Sequence, residues 1–464
     1  MLKDKGNALT IAAMASEIKR RKCIADYHAM LERIDLRQFA ESLQAELRER
    51  KVMYGQRPVC PFLRPNFITA EQMAVLRQRI QGVAAAMQIL VEHVLHDESL
   101  QNFLGLTAQE RELLALEPGY SSISTTARFD TFLNGGSCSI VEYNAESPAG
   151  LGYTDTMSQA FMHRPEFQEF AAKHRLQAFT ISQDLLQTLL KCWQEWSRGA
   201  STKPTIAIVD FAEVPTHHEF RLLADYFQSQ GYRAIIADPR HLEYDGSHLS
   251  AGGVKIDVLY RRVLANEFLE KIDQEQAMYK ALKDRKVCMV NSFRSKILHK
   301  KDIFALLTDE NYWELFTVEQ IKAIRACIPW TRRLQAMDTS DPQGQPVALL
   351  DYVMRQRRNL VLKPNDSYGG RGIYFGWEEN EEEWAESVRE ALQHDYLVQT
   401  RIPVTRELFP YWNSESGLEW GEYLVDLDPY VFDFKLSGVT TRLSSTSLCN
   451  VTSGGGSAPC LVLN

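Results

Sequence analysis

Apolar positions recur at three- and four-residue steps through the first quarter of the chain. Met30-Leu31, Ile34, Phe39, Leu43 and Leu47 form one series, and Met73, Leu76, Ile80, Val83, Met87, Leu90 and Val94 a more regular one. Residues 7 to about 116 therefore read as helices. Thr69 and Gln72 have the spacing of a capping box at the head of the second series. Between the two, PVCPFLRPNFIT carries three prolines and reads as an ordered, extended connection. Helical periodicity signals burial rather than chemistry, so this region reads as packing.

The texture changes near Tyr120. Residues 125–132 alternate like a strand, Asn134-Gly135-Gly136 reads as a hairpin turn, and residues 139–144 as the return strand. Helix follows to about Trp196. Beyond the break at 199–204 comes a β-α-β pattern: Ile206-Ala207-Ile208-Val209, a helix over 219–230, then Ala234-Ile235-Ile236-Ala237. With Val258-Leu259-Tyr260 as a third strand, this predicts a small doubly wound unit. From Val287 the chain predicts helix around 300–307 and strands at 360–363 and 372–375. Helix follows over the acidic stretch to His394, then strands at 396–399 and 430–432, and a Gly-rich loop at 454–456. Four units result: a helical region at 1–115, a hairpin-bearing segment at 116–199, an α/β unit at 200–290, and a final α+β unit at 291–464.

Composition narrows the classes. With 52 Lys+Arg against 60 Asp+Glu the formal charge is −8, a poor balance for binding a nucleic-acid backbone. The 45% hydrophobic and 24% charged content is that of a globular protein, and excludes wholesale disorder. No run reaches the ~18 apolar residues of a membrane span. The first 22 residues carry an apolar patch broken by Glu17, which reads as helix rather than a signal peptide, so a cytoplasmic protein is expected. None of the eight cysteines forms a CxxC pair or has a histidine at metal-ligand spacing. They read as buried thiols, without zinc or a disulfide framework.

Three clusters could carry chemistry. In the hairpin, Arg128 and Asp130 share one face of a strand, as do Glu142 and Asn144. Paired in register, two carboxylates and an amide oxygen converge beside an arginine, the hard-oxygen set that Mg²⁺ takes. Seen alone, the same residues also read as an exposed strand face. The second cluster runs from Lys363 through Pro364-Asn365-Asp366-Ser367-Tyr368-Gly369-Gly370-Arg371-Gly372: a strand ending in lysine, then a loop whose glycines let backbone N–H groups close over phosphate. It is neither a Walker A loop nor a GxGxxG turn, and alone it equally describes a hairpin with a surface lysine. The third is Arg442 with Asn450-Val451-Thr452-Ser453-Gly454-Gly455-Gly456-Ser457, whose triple glycine is costly for packing alone, with a flexible tail as its other reading. His217-His218-Glu219 sits where a helix should start, and adjacent histidines cannot face one ion from a regular element.

Together these clusters resemble the circularly permuted ATP-grasp ligases. Arg128-Phe129-Asp130 followed by Glu142-Tyr143-Asn144-Ala145-Glu146-Ser147 is similar to the hairpin of glutathionylspermidine synthetase. The 363–372 loop and the 442–456 segment are similar to the type 2 permuted ATP-grasp proteins, and Val290-Asn291-Ser292 with Lys300-Lys301 to the opening of the ATP-grasp unit. Glu142 and Asn144 stand far upstream of Lys363, the permuted order. The resemblance implies an α+β permuted ATP-grasp fold, preceded by a Rossmann-like substrate domain at 200–290 and an N-terminal helical region.

It also implies a reaction: ATP, a carboxylate and an amine give an amide, ADP and phosphate through an acyl-phosphate. By the same resemblance Asp130, Glu142 and Asn144 hold Mg²⁺, two ions in all. Arg128 and Arg442 are catalytic, and Lys300 or Lys301, together with Lys363, Asp366, Gly369, Gly370, Gly372, Gln399, Gly454 and Gly455, binds ATP. The implied partners are a small carboxylate such as a short peptide and an amine, with neither nucleic acid nor membrane. Two departures stand out: Asp428 where relatives carry an arginine, and Arg371 where they carry a lysine. A phosphotransferase that stops at phosphoryl transfer, and a nucleotide-binding scaffold without activity, remain the alternative readings.

Overall fold

The computed structural model describes residues 2–134, 136–272, 276–413, 415–449 and 455–464, with residues 2–12 described by their backbone alone. The two periodic series fold as α2 (Leu36–Glu49) and α3 (Ala70–His96), after a long α1 (Leu2–Leu31). The Thr69–Gln72 capping box is present, each side chain meeting the other residue's backbone N–H. The two helices feed different cores. Phe39, Leu43 and Leu47 of α2 pack with α1 and the helix Leu151–Met162, whereas Leu76, Ile80, Val83 and Leu90 of α3 pack against the hairpin.

The extended connection between them ends in a buried strand, β1 (Asn66–Thr69). Phe67 faces one core and Ile68 the other, as alternation along a strand requires. This strand pairs in parallel with the end of the chain, Asn66 opposite Cys460 and Thr69 opposite Leu463. The helical region at 1–115 therefore contributes a strand to the main sheet.

That sheet holds the hairpin strands β2 (Thr126–Asn134) and β3 (Ser137–Asn144), then β4 (Arg406–Asn413), β5 (Gly417–Phe432), β6 (Lys435–Ser444) and β7 (Gly456–Leu463). The order is β1-β7-β6-β5-β2-β3, with β4 paired to the first half of β5. All pairs except β1–β7 are antiparallel. Strands from the first, second and last of the expected units thus lie side by side.

The middle unit follows the sequence pattern. Ile206–Val209, Ala234–Ala237, Val258–Arg261 and Cys288–Val290 form a parallel sheet, with the 206 strand between the 234 and 258 strands. Ile206, Ile208, Val258 and Tyr260 face one hydrophobic cluster, while Ala207, Val209 and Leu259 face another. A strand buried on both sides reads as a continuous apolar run, as this one does.

A further small four-stranded sheet is antiparallel. Thr331–Arg333, Tyr396–Thr400, Leu360–Pro364 and Tyr374–Phe375 follow one another across it. Helix Glu381–Ala391 backs it through Trp384 and Val388, and opens on three glutamates behind an Asn380 capping box. The helix expected at 300–307 is broken into Lys296–His299 and Ile303–Thr308. The strand expected at 372–375 shortens to two residues, because Gly372 belongs to the loop, with φ +70°. All eight cysteines are buried free thiols. Among the described residues, no helix is long and apolar enough to cross a membrane.

Candidate functional site

A cavity of about 260 Å³ lies between the main sheet and the small one. The main sheet contributes Arg128 and Asp130 from β2, Glu142 and Asn144 from β3, Asp426 from β5 and Arg442 from β6. The small sheet supplies Lys363 and Gln399, with Gly369 and Gly370 from the loop. An apolar end is formed by Ile373, Phe375, Trp377, Ile402 and Leu448.

Strand register explains why these groups meet. Arg128 stands opposite Asn144 and Asp130 opposite Glu142, so the hairpin presents all four on one face. Asp426 lies opposite Arg442 in the neighbouring pair. Asn291 secures the root of the hairpin. Its Nδ2 donates to the carbonyls of Thr126 (2.7 Å) and Ala145 (2.8 Å), while its Oδ1 accepts from the Thr125 and Thr126 N–H groups.

Opposite charges are tightly interleaved here. Arg128 Nε donates to Asp130 at 3.0 Å, and its Nη1 to the Ala149 carbonyl at 3.1 Å. Arg442 donates to Asp130 at 2.6 Å and to Asp426, and its Nε lies 2.7 Å from Asp428. Burial alone would raise the Asp130 carboxyl, but the two arginines outweigh it and hold it down at about 2. Three buried aspartates share two guanidiniums, so one negative charge is in excess. Burial accordingly pushes Asp426 up to about 6 and Asp428 well above the carboxylate range, against the pull of Arg442. Asp130, Asp426 and Asp428 are the one acidic cluster among the described residues close enough to hold an ion. The space they surround is occupied by Arg442, so the trio is an ion-pair network.

Asp130, Glu142 and Asn144 all line the open cavity, with Asp130 held by Arg128, Arg442 and the Asn144 amide (3.1 Å) and Glu142 by Lys301. Such a set suits a hard cation that keeps positions free for phosphate oxygens. Across from them, Lys363 Nζ donates to Gln399 at 2.8 Å and to the Val141 carbonyl at 3.1 Å. Burial pushes this lysine down to about 8, despite the nearby Glu142. Lys301 pairs with Glu142 at 2.9 Å and donates to the Ser367 carbonyl at 2.5 Å.

Of the residues the sequence singles out, Arg128, Asp130, Glu142, Asn144, Lys363, Gly369, Gly370, Gln399 and Arg442 line the cavity. Lys301 reaches its edge through Glu142. Lys300 and Asp366 pair with each other at 2.9 Å in a separate buried cluster. Gly372 approaches the Tyr396 hydroxyl, and Gly455 precedes β7 without lining the cavity. Gly454, with residues 450–453, lies outside the described residues. His217 and His218 open the helix His217–Ser229, and Glu219 caps the neighbouring helix, accepting from Gly152 N–H at 3.4 Å. Sequence reasoning overlooked Asp426 as a cavity group and the aromatic wall of Phe375 and Trp377. The signal for Asp426 was present: Asp426, Asp428 and Tyr430 alternate on one face of β5.

No family model matches the sequence, and no curated protein sequence matches it. Solved structures do. A glutathione synthetase like-effector from Globodera pallida, in apo form, superposes at a TM-score of 0.60 with 11% identity, over 92% of this chain and 96% of its own. D-alanyl-alanine synthetase A from Vibrio cholerae (15% identity, 49% of this chain and 68% of its own) and a RimK domain ATP-grasp protein from Sphaerobacter thermophilus (14%, 55% and 89%) align at TM-scores of only 0.27, too low to weigh. The near-complete overlap with the first, at an identity that speaks to fold alone, shows that this chain shares the α+β fold of that glutathione synthetase like-effector.

Proposed function

We propose that this protein is an ATP- and Mg²⁺-dependent carboxylate–amine ligase, similar to glutathionylspermidine synthetase, working on small molecules in the cytoplasm with the ATP-grasp elements in permuted order. The observation that carries this reading is the meeting of Lys363 with the hairpin. Its ammonium reaches the Val141 carbonyl, 222 residues away, across the same cavity that Asp130, Glu142 and Asn144 border. Cationic groups and oxygen donors therefore line one cavity, the combination that a metal-bound polyphosphate calls for.

Mg²⁺ held by Asp130, Glu142 and Asn144 would offset phosphate charge during in-line transfer. Lys363 and Lys301 bind the phosphates, and Phe375 and Trp377 receive the base. Arg128, tied to Asp130 and the Ala149 carbonyl, presents a fixed guanidinium to the carboxylate as it takes the phosphoryl group and then meets the amine. Arg442 keeps Asp130 ionised. Gly369 and Gly370 close over the cavity and exclude water, which would hydrolyse an acyl-phosphate.

The test is thermal stability with Mg·ATP against ATP in EDTA, followed by ADP release across a panel of peptides, carboxylates and amines. A rise with Mg·ATP that EDTA diminishes is expected, because ligand binding to the native state stabilises by mass action. An absent shift overturns the reading. A stable phosphorylated product, in place of amide plus phosphate, would make the protein a phosphotransferase.

A further inference from the structure

Lys300 and Lys301 are adjacent in sequence, yet they serve different networks. Lys301 turns to Glu142 at the cavity, whereas Lys300 turns into the protein. There Lys300 and Lys296 grip Asp366 at 2.9 and 2.6 Å. Glu110 stands 3.1 Å from Lys300 and 3.6 Å from Lys296. Glu146 is 3.5 Å from Lys296 and 3.0 Å from Arg261. His299 approaches Asp366 at 3.9 Å, and burial holds its imidazole down at about 4, so it stays neutral. Three acids thus face three bases. Lys296, Lys300, Glu110 and Glu146 are each at most 5% exposed.

Neutrality decides what this cluster can do. Lys300 and Lys296 have their charge matched by buried carboxylates and offer no surplus to a phosphate. Asp366 is the member that belongs to the glycine-rich loop, and its neighbours are held as firmly. The Asn365 side chain accepts from Asp302 N–H at 2.9 Å and donates to the Leu104 carbonyl at 2.9 Å. The Asn365 carbonyl accepts from Lys301 N–H, and that of Ser367 from Lys301 Nζ. Beyond Ser367 the character reverses. Tyr368, Arg371 and Gly372 are exposed, and Gly369, Gly370 and Gly372 all have positive φ, between 70° and 76°. The loop has a clamped root at 365–367 and a more exposed tip at 368–372, whose Tyr368 hydroxyl donates to Glu267 at 3.2 Å.

We infer that Asp366 is a positioning residue rather than an ATP ligand: its buried pairing with Lys296 and Lys300 anchors the root of the glycine-rich loop and sets where the tip closes over the cavity. The loop's task rests on the ligase reading above, but the anchor itself does not. Electrostatics separates the two roles of Asp366. Were Asp366 and Lys300 direct neighbours of a polyanion, removing the acid would tighten ATP and removing the lysine would loosen it. As two halves of one tether, they should fail alike.

The experiment is limited trypsin digestion of the full chain, following the cut after the exposed Arg371. Asp366→Asn and Lys300→Met should each speed that cut by about tenfold or more over the parent, since loss of one partner frees the segment. Cleavage at other sites should hold steady, and both variants should bind ATP more weakly. Cutting at the parental rate in both variants overturns the anchor, as does tighter ATP binding by Asp366→Asn. Should either single change unfold the chain, the Asp366→Asn/Lys300→Met pair keeps the cluster neutral and carries the same test. Parent protein digested with and without Mg·ATP addresses the ligase reading separately. Protection absent there sinks the nucleotide site and leaves the anchor to be judged on the variants.

Discussion

Arg442 donates to Asp130 at 2.6 Å although 312 residues separate them in sequence. The contact joins the hairpin of the first third of the chain to the last antiparallel pair, and so completes one face of the cavity.

Arg442→Met should therefore be costly. It would leave Asp130, Asp426 and Asp428 with Arg128 alone, and an uncompensated buried charge typically costs about 3–5 kcal/mol. Urea denaturation at pH 7 measures the loss. A variant within the error of the parent would mean that the aspartates already sit neutral without the arginine.

On the ligase reading, Lys363 should make nucleotide binding pH-dependent. Its ammonium, pushed down to about 8 by burial, loses its charge as pH rises through that value. If only the protonated lysine holds phosphate, affinity for Mg·ATP should fall by about tenfold between pH 7 and pH 9. Lys363→Ala should bind weakly at both pH values while keeping its fold. Calorimetric titration at the two pH values compares them, and a slope that survives the substitution would assign the titration elsewhere.

Arg128 should separate binding from chemistry. Arg128→Lys keeps a positive charge but loses the planar fork that reaches Asp130 and the Ala149 carbonyl together. It should retain Mg·ATP binding while turnover falls on the order of a hundredfold or more, the usual effect of losing one donor to developing charge. Unchanged turnover in both Arg128→Lys and Arg128→Ala would reduce the residue to a scaffold for Asp130.

Asp302 gives a stability prediction away from the cavity. It is buried, neither carboxylate oxygen has a hydrogen-bond donor, and Arg333 comes no nearer than 3.4 Å. Burial raises its carboxyl to about 7, only partly offset by Arg333. A carboxyl whose folded value exceeds its unfolded one contributes stability that is complete below the unfolded value and lost as pH rises through the folded one. The parent should therefore weaken between pH 5 and pH 8. Asp302→Asn, which has no charge to bury, should weaken less and be the more stable protein at pH 8, by roughly 1 kcal/mol or more. Denaturation at both pH values decides; a variant less stable at pH 8 would show that Arg333 depends on the charge.

Some of this molecule was legible in its residues alone. The hairpin face carrying Arg128, Asp130, Glu142 and Asn144 follows from a period of two, the capping box of α3 from a spacing of three, and the middle unit from short buried runs between turns. Each is a local pattern, and local backbone geometry decides which face a side chain takes. What lies against that face is another matter. That 66–69 is a strand beside 460–463, that Asp426 and Asp428 converge on Arg442, and that consecutive Lys300 and Lys301 serve separate networks were decided by tertiary structure. Strand partners and ion pairs hundreds of residues apart leave no periodic trace, because they form only when packing of the cores brings the elements together. The chain's local order wrote the faces, and burial chose their neighbours.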